Sequence, residues 1–226
     1  MRKLVVTLIV LVLLLVGADF GAKYAAQSAI SKQLATSYQL DPAPQVTVHG
    51  FPFLTQAISG TYGQIDVDMA EVSRESIRVE NVHAHLYDVR APISEVINNA
   101  RSITAGRATG TAIVPFDVIK KRLPDGFTVK PSGQNLVLSG KARALGVSVP
   151  VKASLKLKVA SGGLVATPDK ITVAGGQVPG SVVANQIGFE VPIRDLPMHL
   201  KITDVQVQDT GVQVTASATN VKFTQS

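Results

Sequence analysis

The chain contains no cysteine and no tryptophan, and aromatic residues make up only 5% of its 226 positions. Without cysteine there is no disulfide framework and no thiol nucleophile, so an exported domain of this sequence must be held by core burial alone. Hydrophobic residues reach 46% while so few are aromatic, which makes that core aliphatic, built from Val, Ile, Leu and Ala. No serine sits in a G-x-S-x-G elbow that would expose its hydroxyl on a strained turn. The run Gly175-Gly176-Gln177-Val178-Pro179-Gly180-Ser181 lacks the lysine a phosphate loop needs and reads as a turn. The basic stretches carry no interleaved aromatics for base stacking, which argues against a nucleic-acid partner. These absences point away from an enzyme and away from a cofactor.

What is present begins at the N-terminus, where Met1-Arg2-Lys3 precedes fifteen uncharged, mostly Leu and Val residues from Leu4 to Ala18. A cleavable signal has an apolar region of about 7–15 residues, and a spanning helix needs about 17–25. Val16-Gly17-Ala18 suits cleavage before Asp19, whereas Phe20, Gly21 and Ala22 could lengthen the span at the cost of one interfacial Asp. Both outcomes stay open for residues 1–22, signal peptide or membrane anchor. In either, the basic start stays cytoplasmic. Residues 23–226 are then expected to form one exported β-rich domain, at the outer face of the cytoplasmic membrane or in a periplasm-like space.

From Ala18 to Tyr38 the chain is rich in helix formers, free of proline, and places Ala22, Ala26, Ile30 and Leu34 at spacings of four, the pattern of a helix with one packed face. Asp41-Pro42-Ala43-Pro44 ends it, because each proline removes a donor and biases its predecessor out of helix. Beyond this linker the period becomes two: Val46 and Val48, Ile65, Val67 and Met69, and Ile77 and Val79 alternate with mostly polar neighbours, as in strands with one buried face. The longest case runs from Val147 to Val159, with Val147, Val149, Val151, Ala153, Leu155, Leu157 and Val159 on one side and Ser148, Lys152, Ser154, Lys156 and Lys158 on the other. Pro150 on the outward side predicts a bulge, a bend or an edge. Asn135 to Leu145 and Val165 to Val173 flank this run as antiparallel partners. Short helices are expected over Ile93–Asn99, Phe116–Arg122 and Val182–Ile187. Leu200 to Val207 and Val212 to Phe223 form a closing hairpin through Gln208-Asp209-Thr210-Gly211.

The charge of +6 is unevenly spread. Asp117 to Lys158 has nine Lys or Arg against two Asp, and Gln39 to Ala100 has three Arg against eight Asp or Glu. The basic stretch is either the solvated side of strands and a helix, or a face for anionic headgroups. His83 and His85 share one side of a strand and could contribute to a metal site. No ligand-rich cluster accompanies them, and Asp66, Asp68 and Glu71 lack calcium-loop spacing. No metal is expected.

Two stretches carry a family resemblance. In VTVHGFPFLTQAISGTYGQIDVDM, Val46 to Met69, the residues Gly50-Phe51-Pro52-Phe53-Leu54, Gln56, Gly60, Tyr62, Ile65 and Val67 resemble the signature of the LmeA-like phospholipid-binding family of actinobacterial cell-envelope proteins. LPMHLKITDVQVQDTGVQVTASATNV, Leu196 to Val221, is similar to that family's closing hairpin. The resemblance implies an exported phospholipid-binding protein similar to tubular lipid-binding domains, in which a long curved antiparallel sheet wraps a helix. The fold class expected is therefore α+β, β-dominated, behind an N-terminal membrane-targeting helix.

On this reading the protein binds phospholipid of anionic character, with lipid transfer as an extension of that role, and has the membrane and an envelope biosynthetic protein as further partners. Acyl chains would lie along Val147, Val149, Val151, Leu155 and Leu157, and Lys120, Lys121 and Arg122 would meet the headgroup. Long aliphatic sheet faces can enclose an elongated cavity, and the same faces can instead pack a solid core. Phe51, Phe53 and Leu54 form a small apolar cluster that either lies at a cavity mouth or membrane surface, or plugs the end of the core. The alternative to lipid binding is a solid-core scaffold or accessory subunit of a membrane-embedded enzyme of envelope glycolipid synthesis.

Overall fold

The computed structural model describes residues 2–74, 77–92, 103–121, 123, 126–144, 147–160, 163–174, 187, 189–192 and 199–223. Helix α1 spans Arg2–Tyr38 without interruption. It is followed by β1 (Gln45–Val48), α2 (Phe53–Ser59), β2 (Thr61–Arg74), β3 (Ile77–Arg90), β4 (Ile103–Pro115) and α3 (Phe116–Lys120). Then come β5 (Thr128–Ser132), β6 (Asn135–Ala144), β7 (Val147–Ala160), β8 (Gly163–Val173), β9 (Phe189–Pro192), β10 (Lys201–Val207) and β11 (Gly211–Phe223). Hydrogen bonding orders the strands into two sheets, β1-β2-β3-β4-β11-β10 and β5-β6-β7-β8-β9. The β-dominated α+β class expected from the sequence is the one observed.

The residues group into two compact units, one comprising 1–70, 83–109 and 218–226, the other 71–82 and 110–217. In the first, α1 turns one face inward. Asp19 is buried, Ala22, Ala26, Ile30 and Leu34 are partly buried at the expected spacing, and Leu4 to Leu15 are exposed. Gln27 of α1 accepts the Val48 backbone N–H at 3.0 Å, and the Ser31 hydroxyl donates to the Pro44 carbonyl. Those two bonds set β1 beside the helix, where Val46 and Val48 are buried. β1 pairs antiparallel with β2, Val48 opposite Ile65.

The turn between β1 and α2 depends on Gly50, whose φ of 98° lies where a side chain is strained and whose Cβ would collide with the Gln56 side chain. Gly60 ends α2 in the left-handed conformation at φ 67°, the common helix stop. A Cβ there would press on the Pro92 backbone.

The second unit is built on the expected three-stranded core. In β7, Val151, Ala153 and Leu155 are buried, Val149, Leu157 and Val159 partly so, while Ser148, Lys152, Lys156 and Lys158 are exposed. Register brings like with like: Leu136 of β6 faces Leu155, Leu138 faces Ala153, and Ala142 faces Val149. On the other side Ala166 of β8 faces Leu157 and Ile171 faces Ala153. Val205, Val207, Val212 and Val214 of the β10-β11 hairpin pack on this cluster, together with Leu123, Phe127 and Ile187. Full burial of a leucine or valine contributes about 1.5–3 kcal/mol, which is how an aliphatic interior substitutes for the absent disulfides. Phe127 lies against Gly140, where a Cβ would come within 2.7 Å of the ring.

Pro150 pairs with Lys141 of β6 and lies just past the last β7-β8 pair, Val151 with Val173, where its carbonyl still accepts the Ala174 N–H at 3.0 Å, so it is neither at an edge nor at a bulge. The bulge falls elsewhere. Ser154 pairs with Lys170 and Leu155 with Pro168, leaving Asp169 over, and its carboxylate accepts from Lys156 at 2.8 Å. Pro168, without an N–H to give, sits where the ladder is already broken. Among the expected short helices, Phe116–Arg122 is present over Phe116–Lys120. Arg122 and Ile93–Asn99 lie outside the described residues, as do all of Val182–Ile187 except Ile187, and the Leu196-Pro197 turn. The closing hairpin forms as expected.

Leu155 has no solvent exposure, so Leu155→Ala should lower unfolding free energy by about 2–5 kcal/mol. Lys158→Ala, on the solvent side of the same strand, should change it by less than about 0.5 kcal/mol in urea titrations.

Candidate functional site

Pro52 occupies the N-cap of α2 and has no side-chain acceptor for the helix's first amides. Asp19, some thirty residues earlier on α1, supplies one. Its two carboxylate oxygens accept the Phe53 N–H at 2.9 Å and the Leu54 N–H at 2.7 Å. Asp19 is 4% exposed and is the buried charged side chain among the described residues. An acidic side chain on the otherwise apolar stretch of α1 thereby has both oxygens satisfied, the condition under which burial of such a group is tolerated.

The cap separates the apolar residues of the signature. Phe53 is buried, its ring 6.3 Å from that of Tyr62, and burial raises the Tyr62 hydroxyl above its usual pKa. Leu54 is partly buried. Phe51 is 63% exposed and stacks on Phe20 of α1 with ring centroids 6.1 Å apart. Ile58, on α2, is 83% exposed. Phe51 and Phe53, two residues apart, thus have opposite surroundings.

Of the aliphatic candidates in the second unit, Val151 and Leu155 are at the centre of the packed cluster, and Val149 and Leu157 pack on its margin. The Val147 side chain lies outside the described residues, although its backbone belongs to β7. Lys120 ends α3 and Lys121 caps it, both exposed. Cations at this end suit the helix dipole. Arg122 lies outside the described residues. Asp117 in the first turn of α3 accepts from Arg78 at 3.2 Å, and Arg78 also approaches Glu80 at 3.3 Å. The outward side of β6 to β8 presents Lys141, Lys152, Lys156, Lys158 and Lys170. The Lys156 ammonium at Asp169 holds that carboxyl below its ordinary pKa.

Three of the four histidines, His49, His83 and His85, are engaged by carboxylates in the first unit. His49 Nε2 and His85 Nδ1 lie 2.7 and 2.9 Å from the two oxygens of Asp66, and His83 Nδ1 lies 2.6 Å from Asp68. Gln64 donates to Asp66 as well, at 2.8 Å. Burial pushes the Asp66 carboxyl up, but the hydrogen bonds from Gln64, His85 and His49 outweigh it and hold the group below its usual value. Arg107 lies over the Tyr87 ring at 4.4 Å.

Sequence reasoning missed two things. Asp19 was legible only as an interfacial or cleavage-site residue, although its place one turn before Ala22, on the packed stripe of α1, was a usable signal. The pairing of Asp66 with two histidines had no sequence signal, because the partners are separated by register.

The family model described as LmeA-like phospholipid-binding matches residues 17–217. No curated protein and no solved structure matches the chain.

The folded Asp66 carboxyl titrates below its unfolded value. Its contribution to stability is therefore complete above the unfolded pKa of about 3.9 and is lost as pH falls through the folded value. Urea midpoints should drop in that acid range for the native chain, and Asp66→Asn should show a shallower drop. Equal slopes would mean Asp66 contributes nothing to acid sensitivity.

Proposed function

Since the chain belongs to the LmeA-like phospholipid-binding family, we propose that it is a non-enzymatic phospholipid-binding protein of the cell envelope that holds or transfers lipid on the outer side of the cytoplasmic membrane. The observation that carries this reading is the family match over residues 17–217. Two physical features support it. The N-terminal helix is long and apolar enough to cross a membrane, and arginine and lysine at its start favour a cytoplasmic N-terminus. The inward sides of β6, β7 and β8 are aliphatic throughout, chemistry suited to acyl chains.

In this reading the acyl chains enter between the β6-β8 sheet and the β10-β11 hairpin, alongside Val147, Val149, Val151, Leu155 and Leu157. Val149 and Leu157 at the margin meet the lipid first. Lys120, Lys121 and Arg122 take the headgroup phosphate, which favours anionic lipids. Phe51, Phe53 and Leu54 belong to the membrane-proximal apolar contact, with Phe51 as the exposed member and Phe53 as its buried support.

The second reading rests on the complete burial of Leu136 and Leu155. Side chains already packed against protein leave an aliphatic face that serves as a solid core, and the protein would act as a scaffold or accessory subunit for a membrane-embedded enzyme of envelope glycolipid synthesis.

Native mass spectrometry of the detergent-extracted protein separates the two. Bound phospholipid, diminished by Leu157→Trp without loss of the strand signal in circular dichroism, is the expected outcome. A lipid-free spectrum with no uptake from liposomes favours the scaffold. For the headgroup, each lysine near an anionic surface contributes on the order of 1 kcal/mol. Replacing both Lys120 and Lys121 with Ala should therefore weaken binding to phosphatidylglycerol vesicles by about 30-fold at low salt, and change binding to phosphatidylcholine vesicles little.

A further inference from the structure

The bond between Asp19 and α2 bears on the fate of the N-terminal segment and on the surface beside it. Helix α1 passes through Gly17, Ala18 and Asp19 without a break. Cleavage before Asp19 would make it the first residue of the chain. The first amides of a helix have no intrahelical partners, so a terminal Asp19 would fray. Its new ammonium group would also compete with the Phe53 and Leu54 N–H groups for the carboxylate. The same cleavage would leave Phe20, Phe51 and Ile58, exposed by 59%, 63% and 83%, facing water without the helix that leads to them.

The dimensions fit an intact helix better. A hydrocarbon core of about 30 Å takes about 20 helical residues at 1.5 Å each. Counted from Leu4, the first residue after the basic start, such a span reaches Lys23, the next basic residue. Asp19 and Phe20 then fall in the last turn and a half, at the outer boundary. Because Asp19 holds the first turn of α2, that end of the helix is held at the same depth. Phe51, stacked on Phe20 at 6.1 Å, and Ile58 on α2 meet the headgroup and upper acyl region, where apolar and aromatic side chains anchor peripheral surfaces.

We propose that α1 is retained as a signal anchor, and that Asp19 clamps α2 against its outer end so that Phe20, Phe51 and Ile58 form a docking patch seated in the outer leaflet of the phospholipid bilayer. This goes beyond lipid uptake and does not depend on it: a scaffold with a solid core would dock the same way.

The absence of cysteine makes single-site labelling direct. The full chain carrying Phe51→Cys, Ile58→Cys or Ser37→Cys is labelled with an environment-sensitive nitrobenzoxadiazole dye and reconstituted in phosphatidylcholine–phosphatidylglycerol vesicles containing headgroup-proximal spin-labelled lipid. Ser37 is exposed on α1, about 25 Å further from the membrane along the axis. The expected result is a blue-shifted emission and several-fold stronger quenching at positions 51 and 58 than at 37. Intact mass of the protein expressed in a bacterial host, with its membrane fraction resistant to alkaline carbonate, should show residues 1–18 still attached. Asp19→Ala should lose the quenching at 58 while remaining carbonate-resistant, and Asp19→Asn, which keeps one acceptor oxygen, should lose less. A mature N-terminus at Asp19 overturns the proposal, as does quenching at 51 and 58 no stronger than at 37. These readouts on the otherwise native chain decide the matter even if Asp19→Ala fails to fold. Lipid binding in native mass spectra is scored separately, so failure of one reading is not mistaken for failure of the other.

Discussion

The attachment of α2 to α1 in the first unit depends on one pair of hydrogen bonds, from the Phe53 and Leu54 amides to the Asp19 carboxylate. A seven-residue helix is too short to be stable from its own propensity, and its N-cap proline offers it no acceptor. The carboxylate satisfies the first amides, Gly60 stops the other end, and the Ala91 N–H donates to the Gly60 carbonyl at 2.8 Å. Between those fixed points the signature residues acquire their surroundings: Phe53 turned inward towards Tyr62, Phe51 outward onto Phe20. Gln27 and Ser31, two and three turns further along α1 and displaced round the helix from Asp19, extend the attachment to β1.

The second unit rests on a different constraint. With no disulfide and few aromatics, it is held by the inward sides of β6, β7 and β8 closing on the β10-β11 hairpin. The register sets Leu136 opposite Leu155 and smaller residues opposite larger ones, Ala153 facing Leu138 and Ala142 facing Val149, so burial is cumulative rather than concentrated in one large side chain. The outward side carries lysines, which keep a long sheet face soluble and lend it positive charge. An aliphatic face of this kind is chemically neutral between a packed core and an acyl-chain site. Membership in a phospholipid-binding family speaks for lipid binding by the chain as a whole.

Much of the fold was legible. The change of period from four to two at Asp41-Pro42-Ala43-Pro44 marked the end of α1, and the alternation from Val147 to Val159 foretold which residues of β7 are buried. The flanking strands and closing hairpin followed from the same pattern. A bulge, a bend or an edge was expected at Pro150, but the register break lies in the partner strand, at Asp169. Proline reports only a missing donor, whereas the surplus residue is set by the relative lengths of two strands. The candidate site was legible as a composition of residues rather than as a geometry. Phe51 and Phe53 looked like one cluster because they are neighbours in sequence, and a two-residue separation at a turn into a helix says nothing about which side each will face.

The sequence by itself determined the aliphatic core, the absence of covalent staples, the apolar N-terminal segment and the glycines at Gly50 and Gly60. Each is a property of single residues or of a local period. Only the tertiary structure decided that Asp19 caps α2, that Asp66 is held between His49 and His85, and that Phe51 rests on Phe20. Periodicity encodes which side of an element a residue occupies. What stands opposite is fixed by chain closure over many residues, and that closure is governed by the packing of the whole unit.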